Sequence, residues 1–166
     1  MKCLIIALFV LISPAAQAQT PYTYTYDGES VILNGSFSKY ILQNDTSFSW
    51  YDFSRNNYSP QPNVVNRLAE SAKKIKFIIF GGTWCEDTQN ILPKFFVLQE
   101  KAGIPDENIA LYGVDRSKHM IDNLASVMEI TNVPTIIVLK NGVEVGRVVE
   151  YGPTGKWEDA LLDLIK

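Results

Sequence analysis

The sequence predicts an α/β fold: a central mixed β-sheet flanked by helices, carrying an N-terminal elaboration. Three observations lead there. Residues 77–80, Phe-Ile-Ile-Phe, form a continuous apolar run, the pattern of a strand buried on both faces. Asn141-Gly142 stands between two apolar runs, a strong signal for a type I′ hairpin. From residue 58 onward the patterns read helix, strand, helix, strand, helix, strand, strand, helix. A βαβ unit feeding an antiparallel hairpin gives a mixed sheet with helices packed on it.

The chain opens with Met1-Lys2, an apolar run over 4–12 and the small-x-small sequence Ala16-Gln17-Ala18. That is the order of a secretory signal peptide. The apolar run is shorter than the about 20 residues a membrane-spanning helix needs. Residues 1–18 therefore read as a signal peptide cleaved after Ala18, and the protein is expected to be exported, to the periplasm or the medium. Cys3 lies too early for a lipoprotein cleavage site and would leave with the leader. What remains suffices for one domain with one core. The expected organisation is a signal peptide over 1–18, a β- and aromatic-rich extension packed on the domain over 19–57, and the α/β domain over 58–166. The formal charge is −3, and Lys and Arg are scattered along the chain. No basic face for a phosphate backbone emerges, so nucleic acid is not an expected partner.

The elements follow in order. Tyr and Thr alternate up to Tyr26, Asp27-Gly28 turns the chain, and 29–33 is a short β candidate ending at Asn34-Gly35. Aromatic and β-branched residues suit strands. Residues 36–57 are too apolar for a linker; Ser36 and Asp45 are each placed to cap a short helix. Pro60 and Pro62 punctuate the chain. Asn63 is expected to cap a helix running to about Lys74, with Val64, Val65, Leu68 and Ala72 on one face. The strand over 77–80 ends at Gly81-Gly82, and a helix follows over 86–102, with Pro93 inside it to kink it. A strand over 109–114 ends at Asp115, and 117–128 reads as a helix. A strand over 136–139 pairs through the Asn141-Gly142 turn with 143–150. Gly152-Pro153 breaks the chain. Thr154 is placed to cap a last helix whose stripe is Trp157, Leu161, Leu164 and Ile165.

Without the leader, Cys85 is the only cysteine. An odd cysteine in an exported protein suggests intermolecular pairing or a free reactive thiol; the plain alternative is a buried, inert one. Its place at a helix start favours thiolate, because unsatisfied N–H groups and the positive helix end face it. Glu86 and Asp87 oppose that preference, while suiting the first turn of a helix in their own right.

Trp84-Cys85 after a buried strand, Pro93 eight residues on, Asp115 ending the next strand, Val133-Pro134-Thr135, the Asn141-Gly142 turn and Gly152 fall in one register. Together they resemble the thioredoxin superfamily over about residues 60–166. The likeness is greatest to exported bacterial thioredoxin-like proteins with a Trp-Cys-x-Asp-Thr/Ser loop. It implies a thioredoxin-like fold with Cys85 as nucleophile and a cis peptide bond before Pro134. It also implies that Trp84, Val133, Tyr151 and Gly152 line a groove where the Val133 backbone pairs with an extended substrate segment.

Two departures stand out. Thr88 occupies the place of the resolving cysteine. It cannot release a mixed disulfide, though its hydroxyl can donate to the Cys85 sulfur. The family's buried Asp and its partner Lys fall at Ile79 and Leu111. In dithiol enzymes that pair moves the proton of the resolving thiol, so the losses agree with one another.

Other cysteine chemistries fit poorly. His119 is the only histidine, in a polar stretch, which disfavours a Cys–His hydrolase dyad. One cysteine and one histidine do not make a zinc site, so no metal and no cofactor are expected. Residues 86–92 contain no Arg for a phosphatase loop, and Gly82 stands where a peroxiredoxin would have Thr. Three readings stay open. The first is a one-thiol exchange protein, forming mixed disulfides with protein or low-molecular-weight thiol or disulfide substrates that an external reducing thiol resolves. The second is a non-enzymatic binding module using the Val133 groove, and the third a thiol that senses oxidation. A monomer is expected, with Cys85 able to link two copies.

Overall fold

The structure, a computed structural model, describes residues 21–165. The signal-peptide reading, Cys3 and the cleavage site lie outside the described residues. Six strands form one sheet in the order β1-β2-β4-β3-β5-β6. They are β1 (Tyr22–Asp27), β2 (Ser30–Ser36), β3 (Ile75–Gly81), β4 (Ile109–Gly113), β5 (Thr135–Lys140) and β6 (Val143–Val149). β3 and β4 are parallel and the other pairs antiparallel. This is the expected mixed sheet.

The central strand β3 shows why the two sheet faces differ. Phe77 and Ile79 enter the larger core, under α2 (Ser49–Asn56), α3 (Pro62–Ser71), α4 (Glu86–Lys101) and α6 (Trp157–Leu164). Ile78 and Phe80 enter a smaller core with Val114, Ala125, Val133 and Ile137, against which Trp84 and Cys85 pack. Alternate side chains of a strand point to opposite faces, so one apolar run serves both cores. Asn141 (φ 53°) and Gly142 (φ 83°) adopt the left-handed pair that a type I′ turn requires.

The extension joins the same sheet. The β1–β2 hairpin turns at Gly28, whose φ is 60°, and Glu29, between the paired Asp27 and Ser30. β2 meets β4 only at Gly35–Gly113 and Ser36–Tyr112. A Cβ on Gly113 would overlap the Leu33 carbonyl oxygen, so that approach needs glycine. Beyond it, the Thr83 hydroxyl donates to Val31 O (2.6 Å) and accepts from Leu33 N (3.1 Å). A side chain thus does the pairing where β4 has ended.

The helix α1 (Lys39–Asn44) follows, capped by Ser38, whose side chain accepts from Tyr40 N. Lys39 is 7 % exposed, yet its ammonium donates to Gln99 (3.0 Å), Glu100 (3.3 Å) and Asp106 (2.8 Å). A buried charge with three acceptors avoids the cost of an unpaired one. Arg55 on α2 also reaches Glu100, at 2.9 Å, so the extension is tied to the far end of α4.

Several sequence expectations need correction. Ser36 caps no helix: it is still in β2, opposite Tyr112, and Ser38 caps instead. Asp45 does accept from Ser47 N, at the start of a 3-10 turn over Thr46–Phe48. α3 begins at Pro62 with Gln61 before it, not at an Asn63 cap, because Pro at the first position presets φ. α6 begins at Trp157, after a turn in which Gly155 has φ 74°, so Thr154 does not cap it. The helix read over 117–128 shrinks to one turn, α5 (Leu124–Val127). The Asp115 carboxylate accepts from Ser117 N (2.8 Å) and His119 N (2.9 Å), and Lys118 has φ 63°. That side chain captures donors a helix would have used.

Candidate active site

β3 delivers the chain to Gly81-Gly82, and Cys85 follows as the residue capping α4 (φ −96°, ψ 124°). Its N–H donates to Gly82 O at 2.8 Å, and its carbonyl accepts from Gln89 N at 2.9 Å. The two glycines are forced by what packs on them. A Cβ on Gly82 would sit 2.6 Å from the Trp84 ring, and one on Gly81 would sit 2.9 Å from Thr88 Cγ2.

The cysteine is half-buried and unpaired. Its Sγ donates to Val133 O at 3.2 Å, and the Val133–Pro134 peptide bond is cis. Trp84 Nε1 donates to Val114 O at 3.0 Å, which holds the indole beside the thiol. Arg116 and Lys118 lie over that ring at 5.2 and 5.7 Å, within cation–π range.

Thr88 is 1 % exposed. Its Oγ1 accepts from Gly82 N at 3.2 Å. The hydroxyl oxygen therefore serves the loop backbone as an acceptor. Behind it, Ile79 and Leu111 are both in the larger core.

The loop after β6 closes the other side. Glu150, at φ 52°, donates its N–H to Pro134 O at 2.7 Å, and its carboxylate accepts from Asn132 at 2.9 Å. This pins Tyr151 next to the Pro134 loop. The Tyr151 hydroxyl accepts from Asn90 Nδ2 at 2.9 Å. Burial raises its pKa, the negative charges of Asp87 and Cys85 add to the rise, and the Asn90 bond opposes it. Gly152 has φ 71° and donates to Val149 O at 2.9 Å; a Cβ there would lie 2.8 Å from Ala160 Cβ. It shapes the loop that carries Tyr151.

Asn90, Lys94 and Thr83 went unread in the sequence, where Asp87 was read only as an anion in the first turn of the helix. Asp87, Asn90 and Lys94 share one face of α4 at three- and four-residue spacing, and Lys94 Nζ donates to Asn90 Oδ1 at 2.6 Å. That spacing was the available signal. Thr83 gave none, because its partners are 50 and 52 residues away. His119 is exposed in the turn after β4, and its backbone carbonyl accepts from Asp115 N and Asn34 Nδ2. Among the described residues, no group of three His, Cys, Asp or Glu could hold a metal ion.

Comparison with known proteins places this geometry. A family model described as thioredoxin matches residues 35–159, starting within the N-terminal extension. The thioredoxin of Staphylococcus haemolyticus is 33% identical over 79 residues, covering 48% of this chain and 71% of that protein. The thioredoxin of Mycoplasma genitalium is 31% identical over 86 residues, covering 52% and 78%. A Pseudomonas aeruginosa protein of unknown function superposes with a TM-score of 0.50 at 21% identity, over 80% of this chain and 87% of that one. An HIV epitope scaffold gives 0.52 at 19%, over 80% and 90%; these two likenesses concern the fold alone. The extent of the family match shows that the chain belongs to the thioredoxin family, whose general chemistry is thiol–disulfide exchange.

Proposed function

We propose that this protein is an exported thioredoxin-family protein that carries out exchange through one sulfur, Cys85. The observation that carries this reading is Thr88. It fills the position where a resolving thiol would act, it is buried, and its hydroxyl oxygen accepts from the Gly82 N–H. The apolar Ile79–Leu111 pair behind it holds no proton-handling group. The leader pattern over 1–18 supports export to the periplasm or the medium.

The cycle runs in two exchanges. The Cys85 thiolate attacks one sulfur of a substrate disulfide, and the other sulfur leaves as a thiolate and takes up a proton. The product is a mixed disulfide on Cys85. An external thiol, as thiolate, attacks the substrate-side sulfur. That step forms a new disulfide between the two small or protein partners and returns Cys85 as the leaving thiolate. Cys85 ends as it began; the external thiol is oxidised and one substrate sulfur is reduced. The Val133 backbone and the Trp84 and Tyr151 side chains form the groove for an extended substrate segment.

The test is isolation of the intermediate. Incubation with a peptide disulfide is expected to give one peptide per chain on Cys85, reversed by added thiol and absent in Cys85→Ser. A folded protein that yields no adduct, while the unfolded chain does, would sink the reading.

A further inference from the structure

A cavity of about 360 Å³ lies beside Tyr151, between α4 and the start of α6. Its wall includes Asn90 and Tyr151, the hydrogen-bonded pair described above. The same tyrosine follows Glu150, whose N–H donates to Pro134 O, next to the Val133 carbonyl that meets Cys85 Sγ. The substrate groove and the cavity are thus neighbours across one side chain. Cavities of roughly 300–1,000 Å³ take small molecules, so this one has room for a small ligand and not for a protein partner.

Charge narrows the ligand. Two cations and two anions line the cavity: Lys94, Lys156, Glu158 and Asp159. Lys94 is engaged by Asn90, and Glu158 accepts from the Tyr58 hydroxyl. Lys156 and Asp159 are exposed, and neither takes part in an ion pair among the described residues. They have opposite signs and stand three residues apart. A ligand with one charge leaves one of them unmatched, whereas a ligand with both satisfies both.

We infer that this cavity seats the resolving thiol, and that this thiol is a small zwitterion bearing one carboxylate, for Lys156, and one ammonium, for Asp159. The inference rests on the one-sulfur reading above. It gives the two reactants separate approaches: the disulfide substrate along Val133, the small thiol past Tyr151. The bond made joins the zwitterion's sulfur to the substrate sulfur. The bond broken is that between the substrate sulfur and Cys85 Sγ, and its electron pair leaves on Cys85.

The test uses the protein carrying a cysteine-containing peptide as a mixed disulfide on Cys85. Release of the peptide is timed with L-cysteine, N-acetylcysteine and cysteamine. Each rate is divided by that thiol's rate on a small peptide disulfide in free solution. L-Cysteine is expected to saturate and to exceed each singly charged analogue about two- to five-fold, the range for one exposed ion pair. Lys156→Gln should erase the advantage over cysteamine, and Asp159→Asn that over N-acetylcysteine. In a parallel arm, unreactive S-methylcysteine is added to Cys85→Ser and should shift the backbone amide signals of Gly155 and Lys156. Equal, unsaturating rates untouched by the variants would overturn the cavity assignment and leave the one-sulfur reading intact. Failure to form the mixed disulfide at all would remove that reading and the resolving role with it. Absence of the S-methylcysteine shifts would remove the site itself.

Discussion

Ile79 and Leu111 are register partners on the parallel strands β3 and β4, and both lie in the larger core. Under the proposed one-sulfur reading these are the places of the family's acid–base pair, held here by two apolar side chains. A lone carboxylate at that depth has no partner. Ile79→Asp is expected to cost about 3–5 kcal/mol of stability, the penalty for an uncompensated buried charge. Adding Leu111→Lys should recover part of it. Urea unfolding of the two single variants and the double variant gives the coupling, and additive losses would show that the positions do not meet.

Thr88→Cys should create a dithiol site, because Thr88 lies three residues after Cys85 in the first turn of α4. Oxidation is expected to join Cys85 to the introduced sulfur in a disulfide within one chain, seen as the loss of two hydrogens by mass. Turnover of a protein disulfide should appear but stay slow. Adding Ile79→Asp should raise it, provided the protein still folds. Equal turnover in both variants would mean that the apolar pair does not limit the dithiol reaction.

Gly82→Ala should displace Trp84. The new methyl would stand 2.6 Å from the indole, and a well-packed site yields at a cost of about 1–3 kcal/mol. The Trp84 indole signal in a proton–nitrogen spectrum is expected to move, with the Trp50 and Trp157 signals unchanged. An unmoved Trp84 signal would show that the loop backbone absorbs the methyl.

Asp106 sets an acid limit on the extension. Hydrogen bonds from Lys39 and Tyr40 hold its carboxyl below the usual carboxylate range. A lowered folded value stabilises above the unfolded value and is lost as pH falls through the folded one. Asp106→Asn should therefore lower the melting temperature at neutral pH, and the difference from the parent should close in acid. A difference constant with pH would point to packing rather than to this charge.

Thr83→Val keeps the shape and removes the hydroxyl that serves Val31 and Leu33. The buried Leu33 N–H then lacks an acceptor, at a cost of about 1–3 kcal/mol. Thr83→Ser should keep most of the stability. Thermal melting of the pair separates the bond from the methyl.

The fold was legible where one pattern held alone. The apolar run over 77–80 gave β3, and Asn141-Gly142 gave the last hairpin. It failed where a side chain competed with the backbone: Asp115 unwound the start of the helix read over 117–128, and Pro62 displaced the Asn63 cap. At the site, Cys85, Trp84 and Pro134 could be read from local motifs. Asn90 and Lys94 were hidden because polar residues on a helix usually face solvent. Thr83 was hidden because hydrogen bonding across fifty residues leaves no periodic trace.

The Thr83 hydroxyl also bears on when the site takes shape. It stands two residues before Cys85, and its partners lie 50 and 52 residues back. Closing a long loop costs entropy before its contacts give anything back. The helices can gather early, but the strand neighbouring the nucleophile is recruited from afar. The surroundings of Cys85 are accordingly expected to mature late on the folding route. A hydrogen-exchange pulse during refolding should find the Leu33 amide open after most of the helix signal has returned, and an amide already protected by then would refute it. Until that hairpin arrives, Cys85 sits on a loop that still lacks the anchor Thr83 gives it.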